Sequence, residues 1–185
     1  MTTLPHDLYR AAQVRELDRL AIAEEGIAGG ALMERAGAEA FALMRRCWPE
    51  ARRIGVVCGT GNNGGDGFVV ARLAREAGLD VALYQVGEVA GLRGDALAAA
   101  QAAPLLPGAL RHCDVVVDAL LGTGLDGEVR GDWRAAIDAM NACGRPVLAL
   151  DIPSGLDADT GSVLGCAVNA AATITFIGGK QGLFT

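Results

Sequence analysis

Apolar residues along this chain follow two rhythms, and the change between them falls near residue 50. From Ala11 to Cys47 they recur at helical spacing. Val14, Leu17, Leu20 and Ala21 share one face, Gly26 and the pair Gly29-Gly30 interrupt the pattern, and Leu32, Met33, Ala36, Ala40, Phe41 and Met44 mark a second helix ended by Pro49. From Ile54 onward, short runs without apolar–polar alternation take over: residues 54–58, 80–84, 115–118, 147–150 and 172–177 read as five strands. Residues 67–77, 95–103 and 133–142 read as the helices between them, the first stopped by Gly78 and the second by Pro104. Non-alternating strands separated by helices predict an α/β fold, a doubly wound and mainly parallel sheet covered on both faces, with right-handed crossovers.

Length and composition fit this pattern. The 185 residues suffice for one domain with its own core, the helices of residues 1–50 packing on the sheet. With 51% of the residues hydrophobic and only 4% aromatic, that core must be built from Ala, Val, Leu and Ile. A net charge of −6 without a basic run argues against nucleic-acid binding. No stretch has the length of a membrane span, and the N-terminus lacks signal-peptide regions, so a cytoplasmic location is expected. Cys47, Cys58, Cys113, Cys143 and Cys166 are odd in number and widely spaced, which suits small buried hydrophobes rather than disulfides or a zinc site. The chain stops soon after its fifth strand, as a C-terminally incomplete piece of a longer polypeptide would.

Polar and glycine-rich residues gather after four strands, at the strand ends where open α/β sheets bind ligands. These are Gly59 to Gly67, Asp118 to Leu125, Asp151 to Asp157, and Gly178-Gly179-Lys180. The turns at the opposite edge lack this density. Gly59, Gly61 and Gly64 match Gly-x-Gly-x-x-Gly, a weak signature taken alone. An ordinary dinucleotide dehydrogenase would carry an acidic residue about 20 positions on, at a strand end; here that strand ends Leu83-Tyr84-Gln85, and Asp80 begins it. Gly65-Asp66 stands where a phosphate-binding Walker loop needs Lys and Ser/Thr, and Asp66 is placed to cap the following helix. A serine hydrolase is excluded by the missing Gly-x-Ser-x-Gly elbow around Ser154 and by the distance in sequence of His6 and His112 from these loops.

Asn63, Asp118 and Ser154 each bring a side-chain oxygen to the end of a different strand. An all-oxygen set with one carboxylate suits a hard cation of low charge; by spacing alone the three serve equally well as a turn residue, a helix cap and a hydroxyl bonding its own turn. Asp151, at the end of a buried strand, is placed for acid/base work. Lys180, the chain's one lysine, is placed to pair with Asp151 or with a substrate phosphate.

Four ordered segments resemble the NAD(P)H-hydrate epimerases: Asn62 to Gly67, Asp118 to Leu125, Asp151 to Gly161, and Thr173-Ile174-Thr175-Phe176 followed by Lys180, with Leu32 to Gly37 fitting as well. The resemblance implies a Rossmann-like three-layer α/β/α sandwich, a homodimer, and an isomerase that interconverts the R and S forms of NADH and NADPH hydrated at C6 of the nicotinamide ring. Such a repair enzyme feeds an ADP- or ATP-dependent dehydratase specific for the S form, fused or separate. The resemblance further implies a potassium ion on Asn63, Asp118 and Ser154. Substrate contacts would come from Asn62, Asn63, Gly64, Gly65 and Asp66, from Gly122, Thr123, Gly124, Leu125, Asp126, Gly127 and Glu128, and from Asp151. Asp151 would be the acid/base group, assisted by Lys180. Arg35 stands where the family often has Asn, and Gly127 where it commonly has a larger residue. Loss and return of the C6 hydroxyl through an iminium, or opening and closure of the ring, would each epimerise that carbon.

Overall fold

A computed structural model describes residues 7–87, 103–106 and 108–185. The elements in chain order are β1 (Leu8–Tyr9), α1 (Ala11–Ala23), α2 (Gly29–Cys47), β2 (Arg53–Cys58), α3 (Asn62–Glu76), β3 (Asp80–Gln85), β4 (Ala103–Pro104), β5 (Val115–Ala119), α4 (Gly131–Asn141), β6 (Val147–Leu150), β7 (Ala172–Ile174) and β8 (Gly179–Lys180). The helix expected over 95–103 lies outside the described residues, except Ala103, which belongs to β4.

The main sheet runs β4-β3-β2-β5-β6-β7, parallel throughout. Numbered from its first strand, β2, this is the doubly wound order 3-2-1-4-5-6, with the topological switch between β2 and β5. The five expected strands are present, and β4 adds a sixth at the edge. A separate parallel pair, β1 with β8, ties the start of the chain to its end, Leu8 against Gly179 and Tyr9 against Lys180.

The strands do not alternate in hydropathy because both faces are buried. Ile54, Val56, Val115, Val117, Leu148 and Leu150 point to one side and meet Ala40 and Met44 of α2 and Phe68, Ala71 and Ala74 of α3. Val57, Val116 and Val147 point to the other, against Ala136, Ile137 and Met140 of α4. This is the three-layer sandwich. α2 rests on α3, where Gly37 leaves room for Val69, whereas α1 buries only Val14 and lies at the rim of the sheet's carboxyl edge. The described cysteines are all free thiols, and burial pushes the Cys58 thiol well up.

Three local expectations change. Gly29 and Gly30 begin α2 rather than break the pattern. α3 begins at Asn62, not at Gly67, so most of the glycine-rich segment is helix. Asp66 is therefore not the cap of this helix; Gly61 holds that position. The glycines that suggest a loop are there for close approach. A Cβ on Gly64 would strike the Gly59 backbone, and one on Gly67 would lie 2.5 Å from the Ala119 Cβ and 2.7 Å from the Cys58 sulfur. Tertiary contact thus overrides the poor helix propensity of the three glycines Gly64, Gly65 and Gly67.

Candidate active site

The N-terminus of α3 and the loops after β5, β6 and β7 open on one cavity of about 1430 Å³ at the switch point. α1 and α2 form its outer wall. A smaller cavity of about 600 Å³ lies between β3 and α4, lined by Gln85, Arg111 and Asp138, and receives no residue of the four polar and glycine-rich segments. The chemistry is therefore placed in the larger one.

Asp118, the last residue but one of β5, is fully buried. Its Oδ1 accepts from the Ser154 hydroxyl at 2.6 Å and from the Leu120 amide at 3.2 Å, and its Oδ2 accepts from the Ser154 amide at 2.9 Å. Burial pushes the Asp118 carboxyl up to about 6, and the bonds from Ser154 and Leu120 act against that shift. Ser154 Oγ accepts from the Leu121 amide at 2.8 Å and lies 3.2 Å from the Leu121 carbonyl oxygen. Asn63 Nδ2 donates to that same carbonyl at 3.0 Å. The Asn63 Oδ1 is buried without a hydrogen-bond partner.

Asn63, Asp118 and Ser154 therefore meet around Leu120-Leu121, and the bland roles sequence spacing allowed do not describe them. Asn63 is in a helix, Asp118 binds a distant loop rather than a helix end, and the Ser154 hydroxyl bridges β5 to the segment after β6. An unpartnered buried acceptor beside a carboxylate, a hydroxyl and a backbone carbonyl fits a cation taken by oxygen ligands. Among the described residues no group of three His, Cys, Asp or Glu side chains could hold a metal, so the donors present do not make a zinc-type centre. The Leu121 carbonyl went unnoticed in the sequence because backbone oxygens leave no residue signature.

Asp151 follows β6 with φ of 67°, a left-handed conformation in a residue other than glycine. Asp and Asn bear this better than most residues, and the Asp151 amide donates to the Ile174 carbonyl at 2.7 Å, fixing the turn. Its Oδ1 is ion-paired with the Lys180 ammonium. Lys180 is completely buried, and its Nζ also donates to Thr175 Oγ1 at 2.7 Å and to the Phe176 carbonyl at 2.8 Å. With three acceptors for three N–H groups, the ammonium has no donor left for a substrate phosphate. Of the two partners expected for Lys180, the structure selects Asp151. Thr175 and Phe176, which complete the lysine's cage, were recognised in sequence only as part of a motif.

Asn62, Asn63, Asp66, Gly122, Thr123, Gly124, Leu125, Asp126 and Asp151 line the cavity. Gly64 and Gly65 are buried within the first turn of α3 behind it. Gly127 and Glu128 lie outside the lining; Glu128 pairs with Arg130 at 3.0 Å on the surface. The Asp157 to Thr160 part of the third motif is structural. Asp157 Oδ1 accepts from the Thr160 amide and hydroxyl at 2.7 and 2.8 Å, and Asp159 Oδ1 accepts from the Ala11 amide at 2.6 Å, docking the start of α1.

A family model described as YjeF-related protein N-terminus matches residues 29–182. The chain belongs to this family. It is 50% identical to the bifunctional NAD(P)H-hydrate repair enzyme Nnr of Coxiella burnetii, over 96% of this chain and 38% of that protein. With the corresponding Escherichia coli enzyme it shares 43% identity over 99% of this chain and 37% of that one. The chain thus spans less than two-fifths of these bifunctional relatives. It is 39% identical to the NAD(P)H-hydrate epimerase of Limosilactobacillus fermentum, over 95% of this chain and 88% of that protein. The crystal structure of yeast YNL200c superposes with a TM-score of 0.84 at 20% identity, covering 96% of this chain and 83% of the yeast one, which establishes the likeness of fold.

Proposed function

We propose that this chain is an isomerase acting in nicotinamide-cofactor repair, which interconverts the R and S epimers of NADH and NADPH hydrated at C6 of the nicotinamide ring. The observation that carries the reading is the Asp151–Lys180 pair: a carboxylate held in a left-handed turn by a fully buried ammonium, at the switch-point cavity of a doubly wound sheet. The relatives named above support it, above all the epimerase of which this chain covers 88%.

Asp151 is the acid/base group. Its Oδ1 is occupied by Lys180, which leaves Oδ2 for the substrate; that oxygen lies 3.4 Å from the place a side chain on Gly122 would occupy. The glycine keeps the space over the carboxylate open. Lys180 assists by orientation: caged by Thr175 and Phe176, it holds Asp151 in one rotamer. The helix N-terminus at Asn62 and the Gly122 to Asp126 loop receive the polar body of the dinucleotide.

Asn63, Asp118 and Ser154 would hold a potassium ion, with the unpartnered Asn63 Oδ1 as the observation that favours it. When bound, the ion would offset the buried Asp118 charge and supply positive charge at the site. A homodimer, a cytoplasmic setting, and an ADP- or ATP-dependent dehydratase that consumes the S form, fused or separate, complete the proposal. No described helix is long and apolar enough to cross a membrane.

The test is incubation of the protein with purified R-hydrate of NADH, following the S form by chromatography against a protein-free control. Accelerated appearance of S, lost in Asp151→Asn, is expected. A rate equal to the protein-free control would overturn the function, and an undiminished Asp151→Asn variant would overturn the role of Asp151.

A further inference from the structure

Three carboxyl groups stand at the inner part of the site, and they differ in what they touch. Asp118 accepts three hydrogen bonds. Asp151 has the Lys180 ammonium. Asp66 lines the same cavity half-buried, and its carboxyl has no hydrogen bond and no ion pair among the described residues. A carboxylate that loses part of its hydration is ordinarily compensated by a partner, so a bare one facing a cavity is the feature to explain.

Its position is fixed by α3. Asp66 lies three residues beyond Asn63 and hence on the same helix face. The Asn63 Cβ and Asp151 Oδ2 each lie 3.4 Å from the point a Cβ on Gly122 would take, so this helix face and the Asp151 carboxylate border one space. Two of the cations around that space already have partners. Arg72 pairs with Glu34 and Glu76, and Arg15 donates to the Thr123 carbonyl at 3.0 Å. From α1, Asp18 adds negative charge; from the loop after β5, Asp126 does the same. Arg35, on α2, lines the outer wall.

We propose that Asp66 is the second proton-transfer residue of the site, donating a proton to the hydroxyl that leaves C6 while Asp151 accepts one from the water that adds. This rests on the proposed epimerase reading and names the partner that a single carboxylate lacks. In the forward step the Asp66 proton passes to the C6 hydroxyl oxygen. The C–O bond breaks with its electron pair staying on oxygen, water departs, and the ring-nitrogen lone pair forms the C6–N1 double bond. Water then attacks the opposite face of the now planar C6, the double-bond pair returns to nitrogen, and the surplus proton of that water goes to Asp151. The products are the other epimer, an ionised Asp66 and a protonated Asp151. That is the starting state for the reverse direction, and one proton exchanged between the two carboxyls restores the first. A pair with one member protonated and the other ionised suits a reaction that must run both ways.

Burial first, then the charge of Asp151, then that of Asp18, pushes the Asp66 carboxyl up to about 8, so it holds its proton at neutral pH. The experiment compares wild type, Asp66→Asn and Asp66→Glu of the full chain with R-hydrate across the neutral to alkaline range. In wild type the rate should fall as pH rises through about 8. Asp66→Asn should lose about 100-fold or more in kcat with KM little changed, and the residual rate should lack the alkaline limb. Asp66→Glu, which keeps an acid at a shifted place, should recover part of the rate and keep the limb. A readout independent of turnover is the infrared difference between wild type and Asp66→Asn at pH 7, which should contain a protonated-carboxyl band. Wild-type epimerisation with an undiminished Asp66→Asn variant, or an alkaline limb that persists in it, overturns this proposal and leaves the epimerase reading intact. No epimerisation by wild type overturns both, and absence of the infrared band overturns the protonated state directly.

Discussion

The only lysine of the chain, Lys180, is completely buried and spends its charge on Asp151, a residue held in a left-handed turn 29 positions earlier. β8 carries the lysine and pairs with β1, so the ends of the described chain meet behind the site. The Asp151 carboxylate keeps a small exposed fraction, 16%, toward the cavity, while the ammonium keeps none. The pair therefore faces one way: the lysine serves as fixed scaffold and the aspartate as the reactive end.

Lys180→Met tests that division. Removing one partner of a buried pair leaves the other charge uncompensated, at a cost of about 3 kcal/mol. Urea unfolding should register this loss, and epimerisation should fall because Asp151 loses its fixed rotamer. A stable variant with normal turnover would show that Asp151 needs no positioning.

Gly122→Ala should act on the substrate rather than on the fold. The added methyl would stand at 3.4 Å from both the Asn63 Cβ and Asp151 Oδ2, an ordinary packing distance. It would also fill the space above the carboxylate. KM for the hydrate should rise by about tenfold, equivalent to about 1.4 kcal/mol, while the unfolding midpoint stays close to wild type. An unchanged KM would place the substrate away from this glycine.

The strand–helix alternation, the parallel sheet and the carboxyl-edge gathering of four polar segments were all legible in the sequence, because buried strands and ligand loops leave strong residue signatures. The start of α3 was not. Gly64, Gly65 and Gly67 speak for a loop by propensity yet lie in the helix, and at Gly64 and Gly67 the reason is steric: the helix approaches Gly59 and Ala119 more closely than any side chain permits. The partner of Lys180 was open between Asp151 and a phosphate until the ammonium's three acceptors were located. The contact of Asn63 with Leu121, and the bare state of Asp66, depend on where other elements sit and leave no trace in spacing.

The cation can be separated from the catalytic groups by stability measurements. Asp118 has its folded-state pKa raised from the ordinary carboxylate value to about 6. A raised acid leaves stability intact below its unfolded pKa and erodes it as pH climbs through the folded one, because the folded state then carries an unwelcome buried charge. A bound potassium ion offsets that charge. At equal ionic strength, potassium chloride in place of tetramethylammonium chloride should raise the melting midpoint more at pH 8 than at pH 5. The difference should vanish in Ser154→Ala. A rise that is the same at both pH values would sever the ion from Asp118.

Ile177 offers a prediction that no catalytic argument covers. It is the one other described non-glycine residue at positive φ, 66°, and it is β-branched, which makes that conformation costly. The residue is 55% exposed at the cavity's edge, so little burial compensates the strain. The turn it occupies has a purpose: Gly178 donates back to the Phe176 carbonyl at 2.6 Å, and that carbonyl is one of the three acceptors caging Lys180. Ile177→Asn keeps the turn with a residue that tolerates the left-handed region. It should stabilise the protein by about 1 kcal/mol and raise the melting midpoint by a few degrees. If the midpoint rises and epimerisation is unchanged, the isoleucine is merely strained. If the midpoint rises while KM for the hydrate also rises, the exposed side chain has a second use, as an apolar surface for the dinucleotide at the mouth of the cavity.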